Sequence, residues 1–288
     1  MIQDYDVISC KGLPLFEKAR IKAPFSYSTQ LEERACFFYV LDGSYETIDP
    51  FGTVVLDSKE VLIKRCGQHI SKYIKTPEKS QCEAVVIYFY PEIIKEAYKN
   101  EIPDFLTDSK KALPPIRFSS SDLIDSFISN LMIYFEEKNL MDDELAIIKL
   151  KEIILLLLKT EQQPSVLRFF SDIFFPSKLK FTSIIENNLY SRVTIDQLAF
   201  LCGMSVSSFK REFNKQYQES PAKYLKRRKL AHAAKLLTTS SDRISDIAYD
   251  CGFEDVTTFS NVFRLEFNIS PSDYRKSQNT NSLNQSGK

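Results

Sequence analysis

The stretch LAFLCGMSVSSFKREF, residues 198–213, decides how the last third of this chain folds, because it recurs as IAYDCGFEDVTTFSNVF at 247–263. In each copy an alanine (Ala199, Ala248) stands four residues before a glycine (Gly203, Gly252), and two phenylalanines four apart follow: Phe209 and Phe213, then Phe259 and Phe263. Ser220-Pro221 and Ser270-Pro271 come next, with Tyr224 and Tyr274 at one distance beyond each proline. Self-similarity at about 50 residues marks a repeated unit of architecture.

Each copy predicts a helix, a tight turn and a second helix. Thr194 is an N-cap, and Gln197 three residues on completes a capping box ahead of Leu198-Ala199. Gly203 stands where a helix ends and the chain turns sharply, which favours a residue that tolerates positive φ. Ser205 then caps a helix over Val206–Gln216 that buries Phe209 and Phe213 at i and i+4. Its other face carries Ser207, Ser208, Lys210, Arg211, Asn214 and Lys215. The second copy repeats this with Ile244–Asp250, the turn Cys251-Gly252-Phe253, and Asp255 as N-cap of Val256–Glu266. That helix presents Val256, Thr257, Ser260, Asn261 and Arg264. Between the copies Pro221 opens a linker helix over Ala222–Leu237, whose stripe Leu225, Leu230, Ala233 and Leu236-Leu237 can pack both units together. The run Lys226-Arg227-Arg228-Lys229 on it suits contacts to phosphate.

Charge follows the same division. The 288 residues carry 38 basic and 38 acidic side chains, but residues 1–176 have a net charge of −6 and residues 177–288 a net of +6. A basic C-terminal module suits an anionic partner. Six cysteines without a C-x-x-C pair point to reduced thiols rather than a disulfide framework or zinc site. No signal peptide is apparent, and the longest apolar run, Ile153–Leu158, is far short of the ~20 residues that span a bilayer. The expectation is a cytoplasmic protein without membrane contact.

Residues 1–90 read as β. Ala35–Leu41 is an apolar strand ending in the turn Asp42-Gly43, and Tyr45–Ile48, Thr53–Leu56, Val61–Lys64, Ile70–Ile74 and Ala84–Tyr90 follow, with Pro91 closing the last. Short strands punctuated by turns predict an antiparallel sandwich or barrel. Helical stripes take over at Leu123–Phe135 and Leu145–Leu158. The expected fold is therefore α+β: a β-rich domain at 1–110 with a hinge within 100–121, a helical hairpin at 111–176, an all-α domain of two helix-turn-helix units at 177–276, entered at Pro176–Lys178, and a disordered polar tail at 277–288.

Residues 180–276 resemble the DNA-binding domain of the AraC/XylS family of bacterial transcription regulators. The likeness is carried by Leu198-Ala199-x3-Gly203-x-Ser205-x3-Phe209-x-Arg211-x-Phe213 and Ile247-Ala248-x3-Gly252-Phe253-x5-Phe259-x3-Phe263. It implies two recognition helices entering successive major grooves of promoter DNA, and an activator that works with RNA polymerase. The base-reading positions it implies are Val206, Ser207, Lys210 and Arg211, then Val256, Thr257, Ser260 and Asn261. Ser208, Lys215, Arg227, Arg228 and Arg264 complete the expected DNA-binding set. The sequence departs from the family at Asn261 and Lys229, where that family carries Arg, and at Gln218, where it carries Gly.

The β region resembles the cupin-like sensor domain of the same family at Phe37–Asp42, Gly43 and Gly67-Gln68-His69, and the overall layout resembles the type III secretion activators within it. The resemblance implies gating by a partner protein. A small-molecule effector among Phe37, Phe38, Tyr39, Tyr45, Tyr88 and Phe89 is the other expectation. A metal-dependent cupin enzyme needs two or three histidines plus a carboxylate on one ion; the chain has only His69 and His232, so no cofactor and no catalysis are expected. His69 reads as a hydrogen-bonded loop residue. A protein-interaction module without DNA specificity is the remaining alternative. The helix over Asp143–Thr160 is apolar over more than one stripe, and Leu150, Ile154 and Leu157 are the expected homodimer contacts.

Overall fold

The computed structural model describes residues 2–30, 34–65, 67–77, 80–98, 114–160, 163–174 and 179–277. The chain divides into two compact units, one ending at Lys180 and the other starting at Phe181.

The first unit holds two open antiparallel sheets. Strands β1 (Ile2–Cys10), β2 (Leu13–Lys22), β9 (Gln81–Phe89), β4 (Ala35–Asp42), β7 (Glu60–Arg65) and β10 (Ile116–Ser119) form one in that order. Strands β3 (Phe25–Gln30), β8 (Gln68–Ile74), β5 (Ser44–Asp49) and β6 (Gly52–Asp57) form the other. In central β4, Ala35 to Val40 are all buried, because both faces of its sheet are covered. Side chains of a strand alternate between faces. Phe38 and Val40 therefore meet Tyr45, Leu56 and Tyr73 of the smaller sheet. Phe37 and Tyr39 point the other way and share a core with the helices α1 (Pro91–Ala97), α2 (Asp122–Glu136), α3 (Asp143–Thr160) and α4 (Gln163–Phe174).

This alternation corrects the expected effector lining. Of the six aromatics, Phe38 and Tyr45 lie between the sheets, stacked at 4.2 Å. Phe37, Tyr39, Tyr88 and Phe89 belong to the core on the helical side. The two sheets do not close into a barrel.

Helix α3 explains its own excess of leucine and isoleucine. It touches α1, α2, α4 and β1, so Leu150, Ile154 and Leu157 are buried inside the unit. These three are not available to a second subunit, which corrects their assignment as dimer contacts. The exposed apolar positions of α3 are Ile148, 54% exposed, and Leu155, 39% exposed.

Several elements differ from the sequence expectation. The strands at 2–30 mix charged and apolar residues, with β1 at the sheet's edge, and no apolar run announces them. β10 falls within the expected hinge and pairs Ile116 with Ile63 of β7. Pro91 both closes β9 and opens α1. His69 sits in β8 rather than a loop, its Nδ1 3.1 Å from the Gly67 carbonyl oxygen. Burial and the Lys64 ammonium hold its pKa down at about 3, so the imidazole is neutral. No His/Cys/Asp/Glu cluster that could hold a metal occurs among the described residues. Cys66, the proposed entry at 176–178, hinge residues 100–113 and the tail residues 278–288 lie outside the described residues.

The second unit is helical: α5 (Phe181–Asn187), α6 (Ile195–Leu201), α7 (Val206–Tyr217), α8 (Pro221–Thr239), α9 (Ile244–Asp250) and α10 (Val256–Phe267), with a last helical stretch at 271–277. Each copy has its own core, around Leu198, Phe209 and Phe213 in the first and Ile247, Phe259 and Phe263 in the second. Helix α8 feeds both, with Tyr224 and Leu225 in one and Leu230, Ala233 and Leu237 in the other. Among the described residues no helix is long and apolar enough to cross a membrane.

Candidate nucleic-acid interface

Local chemistry sets α7 and α10 in place. The Thr194 hydroxyl accepts from the Gln197 backbone N–H, and the Gln197 side chain accepts from the Thr194 N–H at 2.9 Å, so the capping box forms. Gly203 has φ +65°, and the Met204 N–H reaches back to the Ala199 carbonyl at 2.9 Å to close the helix end. Phe253 bonds Ala248 in the same way at 3.0 Å. The Ser205 Oγ accepts from the Ser208 N–H at 3.3 Å, and the Asp255 carboxylate from the Thr258 N–H at 2.7 Å. Both α7 and α10 end on a non-glycine residue in the left-handed region, Gln218 at φ +57° and Asn268 at φ +63°.

Phe209 and Phe213 turn one side of α7 inward, which leaves Ser207, Lys210, Arg211, Asn214 and Lys215 exposed. In α10, of the residues expected on the outer face, Thr257, Asn261 and Arg264 are exposed, with Ser260 half-buried beside them. Val206 and Val256 are half-buried and pack against their own cores, so they present less to a groove than expected. Ser208 is committed to the cap: the Ser205 hydroxyl donates to its Oγ at 3.0 Å, as the Thr258 hydroxyl donates to Asp255 at 2.7 Å. Asn214, on the outer face that the sequence predicts though outside the expected base readers, lies one turn beyond Arg211. The repeat carries that signal, because Asn214 occupies the position that Arg264 occupies one period later. A cleft of about 450 Å³ beside it is lined by Ile195, Lys210, Asn214, Ser220, Pro221 and Ala222.

The basic run on α8 divides. Arg227 pairs with Glu219, and Arg228 with Glu186 at 3.0 Å while also donating to the Tyr224 hydroxyl. Lys229 turns inward, donating to the carbonyls of Ser191 at 3.2 Å and Gly252 at 3.0 Å, and burial lowers its pKa. Lys226 stays exposed.

Comparison with known proteins follows the two units. A helix-turn-helix domain model matches residues 198–277, and an ExsA N-terminal regulatory domain model matches residues 35–169. The transcriptional activator RhaS of Escherichia coli O139:H28 is 38% identical over 92 residues, 32% of this chain and 33% of RhaS. The activator RhaR of Mannheimia succiniciproducens is 31% identical over 180 residues, 62% of each chain. The match thus spans about a third of RhaS and under two-thirds of RhaR. Fatty-acid-bound ToxT from Vibrio cholerae covers 91% of this chain and 94% of its own at 14% identity, with a TM-score of 0.40 that marks no more than a loose likeness. The matched regions lie on the duplicated helical unit and on the sheet-and-helix unit before it, and together they support a transcription regulator similar to those of the AraC/XylS family.

Proposed function

We propose that this protein is a sequence-specific DNA-binding transcription activator, cytoplasmic and without a catalytic step of its own. The duplicated capped unit, with a polar or basic face left exposed on each recognition helix, carries this reading. α7 and α10 enter successive major grooves of a promoter. Arg211 reads a guanine edge, with Ser207, Lys210 and Asn214 beside it; Thr257, Ser260 and Asn261 read the second groove. Lys215, Lys226 and Arg264 meet phosphates, and Arg227 and Arg228 contribute less to the salt dependence because each already has a carboxylate partner.

The N-terminal unit receives the signal, and RNA polymerase is the downstream partner. Its interior between the sheets is filled by Phe38, Tyr45, Leu56 and Tyr73, which favours an input protein at the surface over a metabolite inside. A second copy of the chain sits on the outer stripe of α3, at Ile148 and Leu155. Sedimentation checks that assignment: Ile148→Glu with Leu155→Glu gives a monomer at concentrations where the native chain is a dimer, and an unchanged dimer removes the stripe from the interface.

Genome-wide occupancy of the native chain beside Arg211→Ala tests the main reading. A shared two-part motif, lost in the variant with about 1–3 kcal/mol of specific binding, is the expected result. Diffuse occupancy by the native chain contradicts it.

A further inference from the structure

The two helix-turn-helix copies have separate apolar cores, and α8 is the element common to both. A helix of 19 residues, about 28 Å long, sets the distance between them. It leaves rotation of one copy against the other to whatever contacts lie beside it. Those contacts gather where residues 190–192, between α5 and α6, meet the second copy's turn.

Four observations define this joint. The Lys229 ammonium bridges the Ser191 and Gly252 carbonyls, one from each copy. Gly252, at φ +74°, has no room for a side chain: a Cβ there would collide with the Tyr190 carbonyl oxygen and lie 2.8 Å from the Lys229 Nζ. The Tyr190 ring stacks on His232 of α8, with centroids 4.3 Å apart. The Arg192 guanidinium lies over the Tyr249 ring of α9 at 4.9 Å. Each contact ties the first copy to α8 or to the second copy.

We propose that Lys229 is a positioning residue that locks the two recognition helices in one register, and so sets the spacing between half-sites that the protein accepts. This rests on the DNA-binding reading above. One base pair added between half-sites moves the second major groove by about 3.4 Å and rotates it by about 35°, so a rigid joint rejects the altered spacing and a loosened one follows it. Lys229 reaches no base or phosphate in this role; it acts through Ser191 and Gly252.

The test starts from the site that the full-length native chain selects out of random DNA, followed by versions with one base pair inserted or deleted between the half-sites. The native chain is expected to lose about tenfold or more in affinity per changed base pair. Lys229→Met is expected to bind the native site about tenfold more weakly, having lost two charge-assisted hydrogen bonds, yet to lose less than about threefold on insertion. Lys229→Arg, which can still donate to both carbonyls, restores the discrimination. If Lys229→Met fails to fold, His232→Ala removes the ring stack from the same joint and must show the same loosening. Spacing discrimination that survives in a folded Lys229→Met, or in His232→Ala when that variant stands in for it, overturns the proposal while leaving DNA binding intact. A native chain that selects no motif overturns the DNA reading itself, and the register role with it.

Discussion

The first and second helix-turn-helix copies are alike inside and different outside. Both bury a phenylalanine pair four residues apart, turn through a glycine with positive φ, and end their second helix on a left-handed residue. Their surfaces have diverged. Where α7 shows Lys210, Arg211 and Lys215, α10 shows Ser260, Asn261 and Leu265. Beside the reading face, Ser208, Glu212, Lys215 and Glu219 of the first copy correspond to Thr258, Val262, Leu265 and Ile269 of the second, and Leu265 is 76% exposed. The caps differ too: α6 has a full capping box, whereas α9 begins at Arg243 with no side-chain cap bond. Packing holds the buried half of a repeated unit fixed, and the exposed half is free to follow what it touches.

The largest expected effects lie in the two cores. Phe209→Ala and Phe259→Ala are each expected to cost about 3–5 kcal/mol in urea denaturation of the intact chain, because each ring is fully buried among other aromatics. A cost below about 1 kcal/mol at either site would mean that the two cores are not equivalent. A smaller effect tests the caps. Thr194→Ala is expected to lose about 1 kcal/mol, and Arg243→Ala to stay within about 0.5 kcal/mol. Equal losses at the two positions would contradict the difference in capping.

The helical unit was legible in sequence because its determinants are local. Thr194 with Gln197, Ser205, Gly203 and Asp255 act within one turn, and their spacing alone places the helix ends. The first unit was legible only in part. β10 gains its partner from β7, over 50 residues earlier in the chain, and α3 shows why it is apolar on several sides only once α1, α2, α4 and β1 are around it. An apolar helix reads the same whether its neighbour is another subunit or its own sheet, so the sequence alone does not mark Leu150, Ile154 and Leu157 as internal contacts. At the candidate interface the exposed faces were legible from the phenylalanine spacing, but two roles were not. Ser208 lies on the outer face and yet bonds back to Ser205. Lys229 ends a basic run, but it lies one turn beyond Leu225 and Lys226, at the edge of the helix that faces the second turn.

In the proposed function both copies read DNA, and the first, with Arg211 where the second has Asn261, reads it more stringently. Selection from randomised duplexes with the native chain, Arg211→Ala and Asn261→Ala measures this directly. The expected result is an asymmetric motif with half-sites one helical turn apart: Arg211→Ala erases preference at a strongly specified position in one half, and Asn261→Ala weakens a less specified position in the other. A motif confined to one half-site, or preferences unchanged in both variants, would contradict it.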